Sequence, residues 1–228
     1  MRIVEIFTSK QGEGLWTGTE STFIRVGGCN LRCSFCDTRY ASWEQTEGKD
    51  LAIEEIVGRV LLFGRNHVIL TGGEPMLYTE MIPLTEQLEA MGHTITIETA
   101  GTLDSPVRCH LMSISPKLSN STPKDADEHI IKRHEINRNR PEVVRQLIGR
   151  YNYQLKFVID SINDIVEIEL FISQFPEIIP DRVLLMPQGV TAEEILRNEP
   201  RIMEYCEKKG YVYCPRMQII WYGNRRRT

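Results

Sequence analysis

The sequence has no apolar run that approaches the roughly 18 residues a membrane span needs. Its first stretch, MRIVEIFTSKQGEG, has neither an apolar h-region nor a small-residue cleavage site. Both absences point to a cytoplasmic protein with no membrane partner. A strong charge bias is also missing. Lys and Arg total 27 against 31 Asp and Glu, and a net charge of -4 gives no global attraction to nucleic acid or anionic lipid. Small-molecule substrates are therefore expected. Internal repeats and low-complexity tracts are absent too. Six cysteines in a cytosolic chain argue against a disulfide framework and for metal or redox chemistry, at least where they cluster. Cys109, Cys206 and Cys214 are scattered and read as buried small side chains.

A chain of 228 residues, 41% hydrophobic and 25% charged, reads as one globular domain, 1–228. Short β-branched runs predict strands at Ile3–Phe7, Thr22–Val26, Val68–Thr71, Thr94–Glu98, Leu111–Ser115, Gln154–Ile159 and Arg182–Met186. Helical periods lie between them at Ala52–Phe63, Tyr78–Met91, Pro141–Tyr151, Ile162–Phe175 and Ala192–Lys209. Such βα alternation implies a parallel sheet covered by helices. The units are too few for a closed eight-unit barrel of about 250 residues, so an incomplete, open (β/α) barrel is expected, with its site at the C-terminal strand ends. The segment Pro123–Pro141, containing KDADEHIIKRHEINRNR, reads as a charged loop or insertion.

The polar motifs fall at those strand ends. GGCNLRCSFCDT follows TFIRV, TGGEP follows VIL, ETAG ends TITI, SPK follows LMSI and MPQG ends RVLL. The first holds Cys29, Cys33 and Cys36 with no histidine nearby, the next being His67. Tetrahedral metal sites want four ligands, so a zinc site would need a distant fourth. Three thiolates on a glycine-held loop suit a cubane cluster with cysteines on three irons and the fourth iron open. In TGGEP, glycine allows a ligand's ammonium group close approach to backbone carbonyls, and Glu74 adds a charge-assisted acceptor.

Cys29-x3-Cys33-x2-Cys36, with Phe35 before the last cysteine, resembles the signature of radical S-adenosylmethionine enzymes. The resemblance implies a 4Fe-4S cluster, an open barrel of the radical S-adenosylmethionine type, and an external one-electron donor such as flavodoxin or ferredoxin. S-adenosylmethionine would chelate the open iron and be cleaved to a 5'-deoxyadenosyl radical. Phe35, Asp37, Gly73, Glu74, Ser115, Pro116, Lys117 and Gln188 are the implied S-adenosylmethionine contacts.

QGEG at Gln11–Gly14, Arg25, CDT and the late PRMQIIWYGN together resemble the 7-carboxy-7-deazaguanine synthase family of queuosine biosynthesis, from about Glu5 to the C-terminus. That implies radical ring contraction of 6-carboxy-5,6,7,8-tetrahydropterin with loss of ammonia, Mg2+ at Thr38, and a homodimer. Gln11, Gly12, Glu13, Arg25, Thr71, Glu98, Gln218 and Thr228 are the implied substrate contacts. The chemistry of these side chains agrees. Gln11, Thr71 and Glu98 can meet the donor and acceptor edge of a pterin, and Arg25 can pair bidentately with a carboxylate. Gln218 stands where many relatives are expected to carry histidine, and it cannot titrate. A glycyl-radical-enzyme activase shares the cysteine spacing and GGEP. A zinc-dependent RNA-binding or interaction module using the basic tail Arg225–Arg227 is the reading from another class.

Overall fold

The computed structural model describes residues 1–44 and 47–227. One nine-stranded sheet runs through it in the order β3-β1-β2-β4-β5-β6-β7-β8-β9. The strands are β1 (Arg2–Lys10), β2 (Glu20–Val26), β3 (Lys49–Asp50), β4 (His67–Gly72), β5 (Thr94–Thr99), β6 (Leu111–Ile114), β7 (Tyr153–Ile159), β8 (Val183–Pro187) and β9 (Val212–Tyr213). From β2 to β9 each neighbouring pair is parallel. The two ends of the sheet, β3 and β9, do not pair, so the barrel is open.

An all-parallel sheet is not what forms. β1 runs antiparallel to β2, and β3 antiparallel to β1. The segment 11–19 is too short to hold a crossover helix, so the chain can only turn back as a hairpin. The loop is tied at its base, where the Gln11 amide donates to Thr19 O at 2.8 Å and that of Gly18 to Gln11 O at 2.7 Å.

The helices are α1 (Arg39–Ser42), α2 (Ile53–Phe63), α3 (Met81–Ala90), α4 (Glu128–Arg138), α5 (Pro141–Arg150), α6 (Asp164–Ile172), α7 (Ala192–Lys209) and α8 (Met217–Tyr222). α7 matches its expected bounds at both ends because its signals are local. Thr191 and Glu194 form a capping box, and Gly210 closes the helix at φ 71°. The 123–141 segment is not a solvated loop: α4 occupies most of it, starting after Asp127 and ending before Pro141. Its charged sequence hides the helix, since only one face is covered and His134 is its buried residue.

Strand alternation sorts the two faces of the sheet. Ile24 and Val26, Val68 and Leu70, Ile95 and Ile97, and Leu155 and Phe157 belong to one large core cluster with residues of α2, α3, α5, α6 and α7. The intervening positions point into the barrel. Phe7, Phe23 and Ile69 form a small apolar plug there, with the two rings stacked at 5.1 Å. Two residues further along β2 and β4 the same face presents Arg25 and Thr71, joined by Glu98 of β5, and all three border a cavity. Period-two alternation therefore delivers a polar interior at the C-terminal strand ends.

Candidate active site

The site is built where the cysteine loop meets the TGGEP loop. Gly28 turns at φ 82°, and its amide donates to Ala41 O at 2.8 Å. The amide of Glu74 donates to Gly28 O at 2.9 Å and that of Gly73 to Val26 O at 3.1 Å. A Cβ on Gly73 would lie 1.8 Å from Gly28 O, so no larger residue fits between the loops.

Two cavities open at this mouth. The first, of about 190 Å³, is bordered by Cys29, Cys33, Phe35, Cys36, Gly73, Ser115, Lys117 and Gln188. The second, of about 240 Å³, is bordered by Gln11, Gly12, Arg25, Gln218 and the tail residues Gly223 to Arg227. Glu13, Asp37, Thr38, Thr71, Gly72, Glu98 and Arg216 border both and form a shared wall.

The donor set of the first cavity fits a cluster. A single tetrahedral zinc ion needs its ligands within about 2.0–2.3 Å of one point. Among the described residues no three or more His, Cys, Asp and Glu side chains form a ready site for a single metal ion. Thiols arrayed around a cavity suit a group in which each sulfur takes a different iron. Burial and the nearby Glu74 push the Cys29 thiol up to about 12. Burial pushes Cys33 up to about 11. Their thiolate forms require a cationic partner, which iron supplies.

Lys117 donates to Ser115 O at 2.6 Å and to Ser115 Oγ at 2.8 Å. Burial pulls its ammonium below the usual lysine range. Glu74 and Pro116 border neither cavity. The Glu74 carboxylate turns inward, accepting from Thr99 Oγ1 at 2.8 Å, Ala100 N at 2.9 Å and Met76 N at 3.1 Å. It knits the ends of β4 and β5 together, and burial raises its carboxyl above the usual range.

In the second cavity several of the expected pterin contacts are already joined to one another. Glu98 accepts from Gln11 Nε2 at 2.9 Å and from Thr71 Oγ1 at 2.6 Å. Gln218 Nε2 donates to Glu13 Oε1 at 2.6 Å, while Gln218 Oε1 is buried without a partner. Glu13 also pairs with Lys156 and, at 3.3 Å, with Arg216. Thr228 lies outside the described residues. Six cationic side chains border this cavity (Lys10, Arg25, Arg216, Arg225, Arg226 and Arg227) against the carboxylates of Glu13, Asp37 and Glu98. That excess suits an anionic ligand.

Thr38 stands immediately before α1 in the capping position, yet its hydroxyl makes no capping bond. Its Oγ1 instead lies 3.9 Å from Cys36 Sγ.

Several side chains that brace the site escaped the sequence reading. Arg216 donates to Asp37 Oδ2 and, at 2.8 Å, to Gly189 O, so it ties the cysteine loop to the end of β8. Glu5 is buried and accepts from Arg25 Nε at 3.0 Å, Tyr40 OH at 3.1 Å, Arg226 Nη2 at 2.8 Å and Arg227 Nε at 3.1 Å. Burial opposes its ionisation, but the Arg226 and Arg25 guanidiniums outweigh it and hold the carboxyl below its ordinary value. The available signal was a charge at an inward strand position: Glu5 in RIVEIFTSK and Lys156 in YQLKFVI.

Residues 23–168 match the Radical SAM superfamily. The chain is 48% identical over 229 residues to 7-carboxy-7-deazaguanine synthase of Rhodopirellula baltica, a match covering 99% of this chain and 88% of that protein. It is 36% identical over 231 residues to 7-carboxy-7-deazaguanine synthase of Halobacterium salinarum, covering 96% and 90%. Among solved structures, the fold resembles QueE from Escherichia coli, with TM-score 0.68 and 24% identity over 94% of this chain and 92% of that one. It also resembles TYW1 with a lysine-pyruvate adduct bound, with TM-score 0.58 and 14% identity over 82% and 72%.

Proposed function

The chain belongs to the Radical SAM superfamily and, within it, to the 7-carboxy-7-deazaguanine synthase family, and from that premise we propose that it contracts the ring of 6-carboxy-5,6,7,8-tetrahydropterin to 7-carboxy-7-deazaguanine with release of ammonia. The observation that carries this reading is the shared wall. A three-thiol cavity and a cation-rich cavity meet across Thr38, Thr71 and Glu98, so a cofactor in one faces a substrate in the other.

The chemistry that a 4Fe-4S cluster and S-adenosylmethionine supply when bound is one-electron hydrogen abstraction, fed by an external donor. The remaining work falls to this chain's side chains. Cys29, Cys33 and Cys36 hold the cluster. Gly73, Ser115, Lys117, Gln188, Phe35 and Asp37 are read as S-adenosylmethionine contacts, with Glu74 shaping the loop that carries Gly73. Glu98, held by Gln11 and Thr71, offers a fixed acceptor to the pterin's amine edge. Arg25, oriented by Glu5, receives the 6-carboxylate. Such pre-set groups would hold the pterin in one orientation at the wall shared with the three-thiol cavity, without reorganisation during the reaction.

We further read Thr38 as the protein ligand of Mg2+, which commonly takes few protein oxygens and completes its octahedron with water and substrate. The Thr38 hydroxyl makes no helix-capping bond and the residue borders both cavities, which supports this. The continuous nine-stranded sheet supports treating 1–228 as one domain. Among the described residues no helix is long and apolar enough to cross a membrane. A cytoplasmic homodimer is the state the family resemblance implies.

The test is anaerobic reconstitution with iron and sulfide, followed by incubation with the carboxypterin, S-adenosylmethionine and a reductant. Formation of the deazaguanine acid with one ammonia per turnover is expected. A reconstituted cluster that turns over S-adenosylmethionine but leaves the pterin intact would refute the substrate assignment.

A further inference from the structure

The loop between Cys29 and Cys33 is gripped from behind by α4, the segment whose composition suggested a solvated insertion. The Arg32 amide donates to His134 Nδ1 at 3.0 Å. One helical turn further on, Asn137 Nδ2 donates to Asn30 O at 2.9 Å. The peptide units on either side of Leu31 are therefore each held by one α4 side chain, three positions apart and on the same face. The turn that precedes α4 holds the next stretch. The Ser34 amide donates to Ser121 O at 2.8 Å, and Ser34 Oγ donates to Asn120 O at 3.1 Å. Arg138 closes the unit, its Nη1 donating to Lys117 O at 3.2 Å.

The imidazole is set for this task. Ser121 Oγ donates to Leu118 O at 2.6 Å, which uses its hydrogen, and it lies 3.1 Å from His134 Nε2. The hydrogen of the neutral ring therefore sits on Nε2 and Nδ1 is left as the acceptor that Arg32 needs. His134 is 1% exposed, so the bond is shielded from water.

We propose that His134 and Asn137 are positioning residues for the cluster-binding loop, fixing the spacing of Cys29 and Cys33 and committing the Arg32 amide to His134 Nδ1. The inference rests on the reading of Cys29, Cys33 and Cys36 as cluster ligands. Outer partners of ligand loops commonly govern metal retention. Amide hydrogen bonds to cluster sulfurs raise the reduction potential. An Arg32 amide released from His134 becomes available for such a bond.

The test uses the full chain with His134→Leu, His134→Asn and Asn137→Ala. In the apoprotein, hydrogen exchange at the Arg32 amide is expected to rise in His134→Leu and to stay protected in His134→Asn, whose side-chain oxygen can take the place of Nδ1. After reconstitution, iron retention against a chelator should fall about 10-fold or more in His134→Leu, with a higher midpoint potential, and His134→Asn should restore both. Parent-like exchange, retention and potential in His134→Leu would overturn the proposal, as would His134→Asn behaving like His134→Leu. If His134→Leu does not fold, Asn137→Ala decides, and parent-like iron retention there overturns it. A parent protein that assembles no cluster would instead sink the cluster reading itself.

Discussion

Lys156 on β7 and Glu13 in the loop after β1 form a largely buried ion pair across 143 residues of sequence. Burial alone would raise the Glu13 carboxyl, but Lys156 and Arg216 outweigh it and hold it down at about 2. Burial would lower the Lys156 ammonium, but Glu13 and Glu98 raise it instead. The pair fastens the QGEG loop to the barrel interior beside the shared wall.

Glu13→Gln is predicted to leave Lys156 charged and unpaired at a cost of about 3–5 kcal/mol. Denaturant unfolding measures this, and Glu13→Gln with Lys156→Met should recover part of the loss. The folded carboxyl is depressed from 4.5 to about 2, so the pair's contribution is full above the unfolded value and is lost as pH falls through that window. Acid titration of Glu13→Gln should lack this component.

Gly73→Ala would drive a Cβ against the Gly28 carbonyl. The expected outcome is separation of the cysteine and TGGEP loops, about 1–3 kcal/mol of lost stability and poor S-adenosylmethionine binding. Calorimetry with S-adenosylmethionine checks it, and parent-like affinity would refute the close approach.

Any one of Cys29→Ala, Cys33→Ala or Cys36→Ala should abolish cluster assembly and turnover. Cys109→Ala, Cys206→Ala and Cys214→Ala should retain the cluster, because these thiols border neither cavity. Iron quantification decides, and full cluster content in Cys33→Ala would sink the ligand assignment.

Arg25→Ala removes the guanidinium that Glu5 orients toward the cation-rich cavity. Loss of a charge-assisted bond of about 1.5–3 kcal/mol predicts roughly 10- to 100-fold weaker pterin binding. S-adenosylmethionine affinity should be unchanged. Equal losses for both ligands would reject the role.

Thr38→Ala should keep the cluster and S-adenosylmethionine binding while losing most of the Mg2+ stimulation of turnover, and Thr38→Ser should retain much of it. A Thr38→Ala enzyme that responds to Mg2+ as the parent does would show the ion held elsewhere.

Much of this arrangement is legible along the chain because its causes are local. Strand alternation and βα order report the open barrel, and motifs such as GGCNLRCSFCDT and TGGEP mark the strand ends from which the site is built. α7 declares itself through Thr191, Glu194 and Gly210. α4 does not, because a charged helix with one thin buried face lacks the apolar period that sequence reading depends on.

Composition and spacing determined the three cysteines, the glycine approach and the strand-end mouth, since each follows from residue type and short-range geometry. Tertiary structure alone decided which charges meet. Arg216 reaches Asp37 across 179 residues and Gln218 reaches Glu13 across 205. Glu74 turns away from the cavity to satisfy three donors, and His134 settles behind the cysteine loop. A buried polar group must find its partner wherever the fold brings one, and period or propensity carries no record of that partner.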